Sequence, residues 1–411
     1  MKICIENKII GHEKHLVFDG KKILQSNSIP DDCWVYNNSE NYKNNLKKLF
    51  LVNGLKINES PRRNLAWDNV ISLLGCEDEY IPWRKFMPKD QWMEYAQNLV
   101  SSMWKDLKEI GCEYYENIYC TSQKVLGHLK RCCIDNDVLN QYLSNDKDVN
   151  GSLKSFIPLE DGLAGEIKYS RNTLTGRMKI KKGPRILTLK KEYRNIIKSR
   201  YENGLIVSID YISIEPKIAL ILAGREMKEG DIYQDISNEL FNSKISRDIT
   251  KQLVLSILYG AGKELLSKST KIENIDLYQY ISKIKEYFKV QKITKDLLYE
   301  YNELGFIRNF YGKIIRIKDP APHKLYNAKI QSTAVDAYML GFSNINFSNI
   351  EGADPVAVIH DDILIDVKSS LLDTLKEEMN RMKKIKGFKN NFEAKHDIIS
   401  ENYEESRDKR N

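Results

Sequence analysis

Apolar residues in this 411-residue chain recur with two different periods, and the switches between them lay out the elements. Over residues 1–90, short apolar runs such as Leu16-Val17-Phe18 break at turn pairs such as Asp19-Gly20, which predicts short strands in a small α/β unit. From Lys89 to about residue 143 the spacing becomes helical: Trp92, Tyr95, Leu99, Met103, Leu107 and Ile110 fall on one face, and Gly111 is the expected stop. Residues 144–165 carry Asn, Asp, Gly and Ser without a period and read as a linker or mobile loop. Beyond Arg200 the pattern predicts a strand at Leu205-Ile206-Val207-Ser208-Ile209, helices through Leu304 and a hairpin around Tyr311-Gly312. A further helix follows, then two strands, Val356-Ala357-Val358-Ile359 and Ile363-Leu364-Ile365, on either side of a turn. No apolar run approaches the roughly 20 residues of a membrane helix, and the first residues lack a signal-peptide core, so a soluble cytoplasmic protein is expected.

One helical segment carries chemistry on its face. Arg247, Lys251, Leu255 and Tyr259 are spaced four apart, with Gly260 after them, so one face presents all four along about 18 Å. Ser246 is the expected N-cap. The two cations then sit in the first turns, where unpaired N–H groups and the helix dipole already favour an anion. A triphosphate fits that stripe, with phosphates at Arg247 and Lys251 and a sugar or base near Tyr259. Taken alone, the pattern reads more readily as an amphipathic helix with two solvated cations.

Charge adds context. Lys and Arg number 64 against 57 Asp and Glu, a formal net charge of +7 that permits a polyanionic partner. The excess concentrates between Glu166 and Arg200, where twelve cations from Lys168 to Arg200 face only Glu166 and Glu192. Turns at Thr175-Gly176-Arg177 and Gly183-Pro184 divide the segment, which reads as a track for a phosphate backbone. All seven cysteines lie at or before Cys133 without a C-x-x-C pair, as expected of free thiols in a reducing compartment.

Two strand ends present carboxylates. The run ending at Ile209 is followed by Asp210, and the run ending at Ile359 by His360-Asp361-Asp362. If those strands are neighbours, Asp210 and Asp361 can share two Mg²⁺ ions, hard cations that take carboxylate and phosphate oxygens and suit in-line phosphoryl transfer. Each aspartate alone is as well explained as a turn residue.

At these residues the chain resembles the family A DNA polymerases, the bacterial DNA polymerase I group, in several motifs in the family's order. Asp210-Tyr211-Ile212-Ser213-Ile214-Glu215 looks like Asp-Tyr-Ser-Gln-Ile-Glu, whose aspartate binds metal and whose glutamate excludes a ribose 2′-OH. The stripe is similar to Arg-x-x-x-Lys-x-x-x-Phe-x-x-x-Tyr-Gly of the fingers, which implies that Lys251 acts as general acid toward pyrophosphate. Ile359-His360-Asp361-Asp362 resembles Val-His-Asp-Glu, which implies Asp361 as the second metal ligand and places His360 and Asp362 at the primer end. Thr175-Gly176-Arg177-Met178 looks like Thr-Gly-Arg-Leu, with Arg177 against duplex and substrate, and Asn327 and Gln331 resemble a template-contacting Asn-x-x-x-Gln. Asp231-Ile232-Tyr233 looks like Asp-Ile-His, and Gly305-Phe306 with Gly312-Lys313 like a Gly-Tyr…Gly-Arg hairpin.

The resemblance implies an α+β, right-hand polymerase: an antiparallel palm sheet at 171–224 and 319–411, helical fingers at 225–318 and a short helical thumb at 91–170. Residues 1–90 would be a small N-terminal α/β domain, degenerate exonuclease-like at most, since they hold no Asp-x-Glu triplet; no 3′→5′ proofreading is expected. Expected cofactors are two Mg²⁺ ions, with Mn²⁺ as a substitute; expected partners are primer-template DNA, dNTPs and a separate processivity factor or exonuclease, with no membrane. The short thumb implies low intrinsic processivity. Leu255 stands where the family carries an aromatic ring, His323 where an arginine is common, and Asp362 where glutamate is usual. Two rivals are a single-subunit RNA polymerase-like enzyme, which would have glycine in place of Glu215, and a catalytically silent polymerase-like DNA-binding protein, which would not need both aspartates and Lys251. The abundance of Ile, Lys, Asn and Tyr hints at an AT-rich, phage-like source.

Overall fold

Short strands separated by turns make up the first part of the chain. In the computed structural model, β1 (Lys2–Ile5), β2 (His15–Phe18), β3 (Ile23–Ser26) and β4 (Cys33–Tyr36) form a sheet in the order β3-β2-β1-β4, with β1 antiparallel to β2 and parallel to β4. The short helix α1 (Leu46–Val52) follows β4, its start capped by the Asn45 side chain on the Lys48 N–H. Helix α2 (Lys89–Ile110) has the predicted bounds, and Gly111 ends it at a positive φ of 71°. Its apolar face, Trp92, Leu99, Met103 and Leu107, is buried; the Trp92 indole donates to the Ile10 carbonyl at 3.0 Å and Trp104 meets Phe18 edge-on. The structure describes residues 1–411 apart from 40, 41, 43, 62–64, 74, 76–80, 146–150, 261–265, 267–273 and 403–411.

The chain divides into two units, Met1–Tyr115 and Glu116–Asn411, so α2 belongs with the N-terminal sheet. In the second unit, residues 144–165 are not the loose linker that their composition suggests. Leu153, Phe156 and Ala164 are fully buried with Ile186, Ile196 and Ile206, because three well-spaced apolar side chains suffice to anchor an aperiodic segment; residues 146–150 lie outside the described residues. The basic track begins as a hairpin, β5 (Lys168–Ser170) against β6 (Lys179–Lys182), with Lys168, Lys179, Lys181 and Lys182 exposed.

The centre of this unit is β7 (Gly204–Tyr211), in which every residue but Asp210 is buried. Helices α3 (Ile214–Leu222), α4 (Ile232–Phe241), α5 (Arg247–Leu258), α6 (Asn274–Tyr287) and α7 (Val290–Leu304) follow. The small hairpin β8 (Ile307–Arg308) and β9 (Ile314–Ile315) turns at Tyr311-Gly312, as the sequence predicts. Helix α8 (Pro322–Phe342) opens with proline in its first turn, and from Leu325 onward nearly every residue is buried, polar Ser332, Thr333 and Asp336 included. Strands β10 (Ala353–Ile359), β11 (Asp362–Lys368) and β12 (Ala394–Asn402), with α9 (Leu372–Met382) between the last two, complete an antiparallel sheet ordered β10-β11-β7-β12. Gly341 is where α8 crosses this sheet: a Cβ there would collide with the Tyr211 hydroxyl, which donates to the Met382 carbonyl at 2.6 Å.

Candidate active site

The strand pairing brings the two carboxylate ends together. Asp362 lies opposite Asp210 in the β11–β7 register, and Ile359 pairs with Asp362 across the two-residue turn His360-Asp361. His360 adopts a left-handed φ of 57° there, and the Tyr211 N–H donates to the Asp361 carbonyl at 3.2 Å, tying the turn to the end of β7. The β7 chain then bends through Ser213, also left-handed at φ 55°, into α3, which sets Glu215 in the first helical turn.

Burial and mutual repulsion dominate the electrostatics. Desolvation and the neighbouring Asp210 charge push the Asp361 carboxyl up to about 7. Asp210 is raised in the same way by burial, against the pull of Lys395, whose ammonium lies 3.7 Å from it. Burial lifts Asp362 to about 6 even though Ser208 donates to one of its oxygens at 2.7 Å and Arg194 to the other at 2.8 Å. The His360 imidazole is lowered by burial and by the charges of Arg177 and Arg194, so it favours the neutral form.

The stripe faces this centre. Ser246 caps α5 through the Ile249 N–H, and Asp210, Arg247 and Lys251 line one cleft of about 630 Å³ with Asp231, Lys383 and Lys395. Asp231, which caps α4, also holds Arg247 at 2.6 Å; both Arg247 and Lys251 lie over the Tyr233 ring. Leu255 is half-buried on α5. At its far end, Tyr259 donates its hydroxyl to Glu215, whose other oxygen accepts from Arg177 at 3.0 Å. Gln331 on α8 bridges to Thr175 Oγ1 at 2.7 Å and turns its amide oxygen to the Arg177 guanidinium at 3.2–3.3 Å. Asn327, one turn earlier, donates to the Leu258 carbonyl at 3.5 Å.

The predicted residues thus gather in two groups. Asp210, Asp361, Asp362 and His360 meet at the strand ends; Arg177, Glu215, Tyr259 and Gln331 meet at the far end of the stripe. Arg194, Ser208, Asp231 and Lys395 went unnoticed as site neighbours, since each touches a partner set by strand register or helix packing rather than by sequence spacing. For a cation, Asp210 and Asp361 supply hard oxygen donors poorly compensated by nearby positive charge. Among the described residues no group of three or more His, Cys, Asp or Glu could hold a metal. Two such carboxylates could hold a divalent cation whose remaining shell is completed by substrate phosphates.

The chain resembles known proteins in sequence and in fold. The family described as DNA polymerase family A matches residues 94–398, more than half of the chain. Among solved structures the fold is similar to the polymerase domain of Pol1 from M. smegmatis, determined in complex with DNA primer-template and dNTP, with TM-score 0.63 and 13% identity over 86% of this chain and 80% of that one.

Proposed function

The chain belongs to DNA polymerase family A, and from that premise we propose how its residues carry out template-directed addition of dNTPs to a primer 3′-OH. The observation that carries the reading is the shared cleft: Asp210, at the end of the central strand, and Arg247 and Lys251, on the first turns of α5, line one cavity beside Asp361. Asp210 and Asp361 would hold two Mg²⁺ ions, with Mn²⁺ as a substitute, which when bound would supply charge neutralisation at the phosphates and activation of the primer hydroxyl. Arg247 and Lys251 bind the triphosphate, and Lys251 delivers a proton to the leaving pyrophosphate. Glu215, clamped between Arg177 and Tyr259, occupies the space of a 2′-OH and selects deoxyribose. Leu255 borders the sugar and base, Arg177 touches the primer duplex, Asn327 and Gln331 contact the template, and His360 and Asp362 shape the primer end.

In this reading β7, β10, β11, β12 and α8 form the palm, α4–α7 the fingers and the segment before β5 a short thumb. The exposed lysines of the β5–β6 hairpin track the DNA backbone. In this reading the N-terminal unit does not proofread: among its described residues the inner strand β1 offers Cys4-Ile5-Glu6, and the Cys4 thiol is fully buried and pushed up to about 12 by desolvation, so it stays neutral and is a poor ligand for a hard cation. A separate factor supplies grip on the duplex, or proofreading. No helix among the described residues is long and apolar enough to cross a membrane.

The test is primer extension. Asp210→Ala abolishes it while primer-template affinity changes little, since binding rests on the basic surface; normal extension by that variant would refute the assignment. Glu215→Ala admits rNTPs, and a mismatched primer end left intact without dNTPs confirms the absence of proofreading.

A further inference from the structure

The turn that carries Arg177 rests on two buried cations. The Gly176 N–H donates to the Thr173 carbonyl at 3.0 Å and Thr173 Oγ1 donates to the Arg177 carbonyl at 2.7 Å, which closes the turn on itself. Its remaining carbonyls point inward. Lys313, 2% exposed, donates from Nζ to the Leu174 carbonyl at 3.0 Å, and Arg171, also 2% exposed, donates from Nε to the Gly176 carbonyl at 3.2 Å. Gly176 has a left-handed φ of 76°, and a Cβ there would press on both cations, 3.2 Å from Arg171 Nη2 and 3.4 Å from Lys313 Cε.

These cations are themselves fixed from below. Arg171 Nη2 pairs with Asp336 at 2.5 Å and Nη1 donates to Ser122 at 2.6 Å. Asn309 donates to the second Asp336 oxygen at 2.6 Å and accepts the Lys313 backbone N–H at 2.9 Å. The arrangement runs from α8 through two cations to the carbonyls of the turn, whose next side chain, Arg177, grips Glu215. A buried ammonium committed to a carbonyl is costly unless its position serves something.

We propose that Lys313 is a positioning residue for sugar selection: its ammonium, with the Arg171 guanidinium beside it, holds the Leu174–Arg177 turn so that Arg177 meets Glu215. The proposal rests on the reading of Glu215 as the sugar gate. It brings a pH dependence, because the charged groups facing Lys313 are one acid, Asp336, and one further cation, Arg171; burial, reinforced by Arg171 and opposed by Asp336, lowers the Lys313 ammonium to about 8. Above that pH the contact to Leu174 loses its charge assistance, which is worth about half of such a bond.

The experiment compares dNTP and rNTP incorporation by wild type, Lys313→Met, Lys313→Arg and Glu215→Ala on one primer-template. Lys313→Met, nearly the same shape without charge, loses discrimination about fivefold and raises the dNTP KM with little change in DNA affinity, and Lys313→Arg restores most of it. Wild-type discrimination falls between about pH 7 and about pH 9.5, whereas the Lys313→Arg profile is flat because guanidinium keeps its proton. Unaltered discrimination in Lys313→Met together with relaxed discrimination in Glu215→Ala overturns the proposal and leaves the gate standing; unaltered discrimination in Glu215→Ala overturns the gate. If Lys313→Met does not fold, parallel pH profiles of wild type and Lys313→Arg overturn the proposal on their own.

Discussion

Two sets of aspartates in the same unit are treated in opposite ways. Asp336 and Asp366 are buried and saturated: Asp336 takes Arg171 and Asn309, and Asp366 takes the Ser199 hydroxyl at 2.5 Å, the Arg200 Nε at 2.8 Å and the Arg200 N–H at 3.1 Å. Asp210 and Asp361 are buried enough to be raised in pKa, but among the described residues no cation lies within ion-pair distance of Asp361, and only Lys395 approaches Asp210. The first two are each finished on folding. Asp210 and Asp361 together hold negative charge that folding leaves poorly compensated, an arrangement that makes sense where cations arrive with substrate.

The difference can be broken from either side. The largest effect belongs to Asp336→Ala, which strands the buried Arg171 and should cost about 3–5 kcal/mol, read as a fall in denaturation midpoint at unchanged m-value. Asp361→Asn should do the reverse to the metal-free protein near pH 8, raising its melting temperature by about 2–4 °C while abolishing extension. If both substitutions destabilised equally, the contrast between the sites would be lost.

The same contrast has a pH signature. Asp361 at about 7 and Asp362 at about 6 bind protons in the folded chain that the unfolded chain has already released. Their stabilising contribution is fully present below the unfolded carboxylate range and is lost as pH rises through 6 to 7. Metal-free protein should therefore melt lower at about pH 8 than at about pH 5.5, less so in Asp361→Asn, and Mg²⁺ with a matched dNTP should restore the loss.

Smaller changes sharpen the comparison. Leu255→Phe should alter the ratio of dNTP to dideoxynucleotide use several-fold; an unchanged ratio would make Leu255 structural only. The smallest shift is expected of Lys395→Ala, which removes the cation 3.7 Å from Asp210 and should lower the Mg²⁺ needed for half-maximal extension about two- to threefold.

What could be read from the chain itself followed from local pattern. The Ser246 cap, the Lys89–Ile110 helix with its glycine stop and the aspartates at strand ends each depend on neighbours within a turn or a pleat. The counter-charges were not legible for the opposite reason. Arg171 and Asp336 are 165 positions apart, and Arg194 and Asp362 are 168 apart, so only the packed fold reveals which cation belongs to which acid. Residues 144–165 misled because composition counts Asn and Gly but not where Leu153 and Phe156 land.

Strand β12 sets a delay on the making of this enzyme. It pairs with β7 along the strand, from Ala394 opposite Tyr211 to Asn402 opposite Gly204, roughly 190 residues later in the chain. At ribosomal speed, β7 waits on the order of 10–40 s for β12, and for most of that time its other neighbour β11 has not been made either, so both of its edges are open to other nascent chains. Catalytic competence therefore arrives late in synthesis, and a prematurely terminated product would carry every residue of the triphosphate grip yet lack the strand that shelters its aspartate.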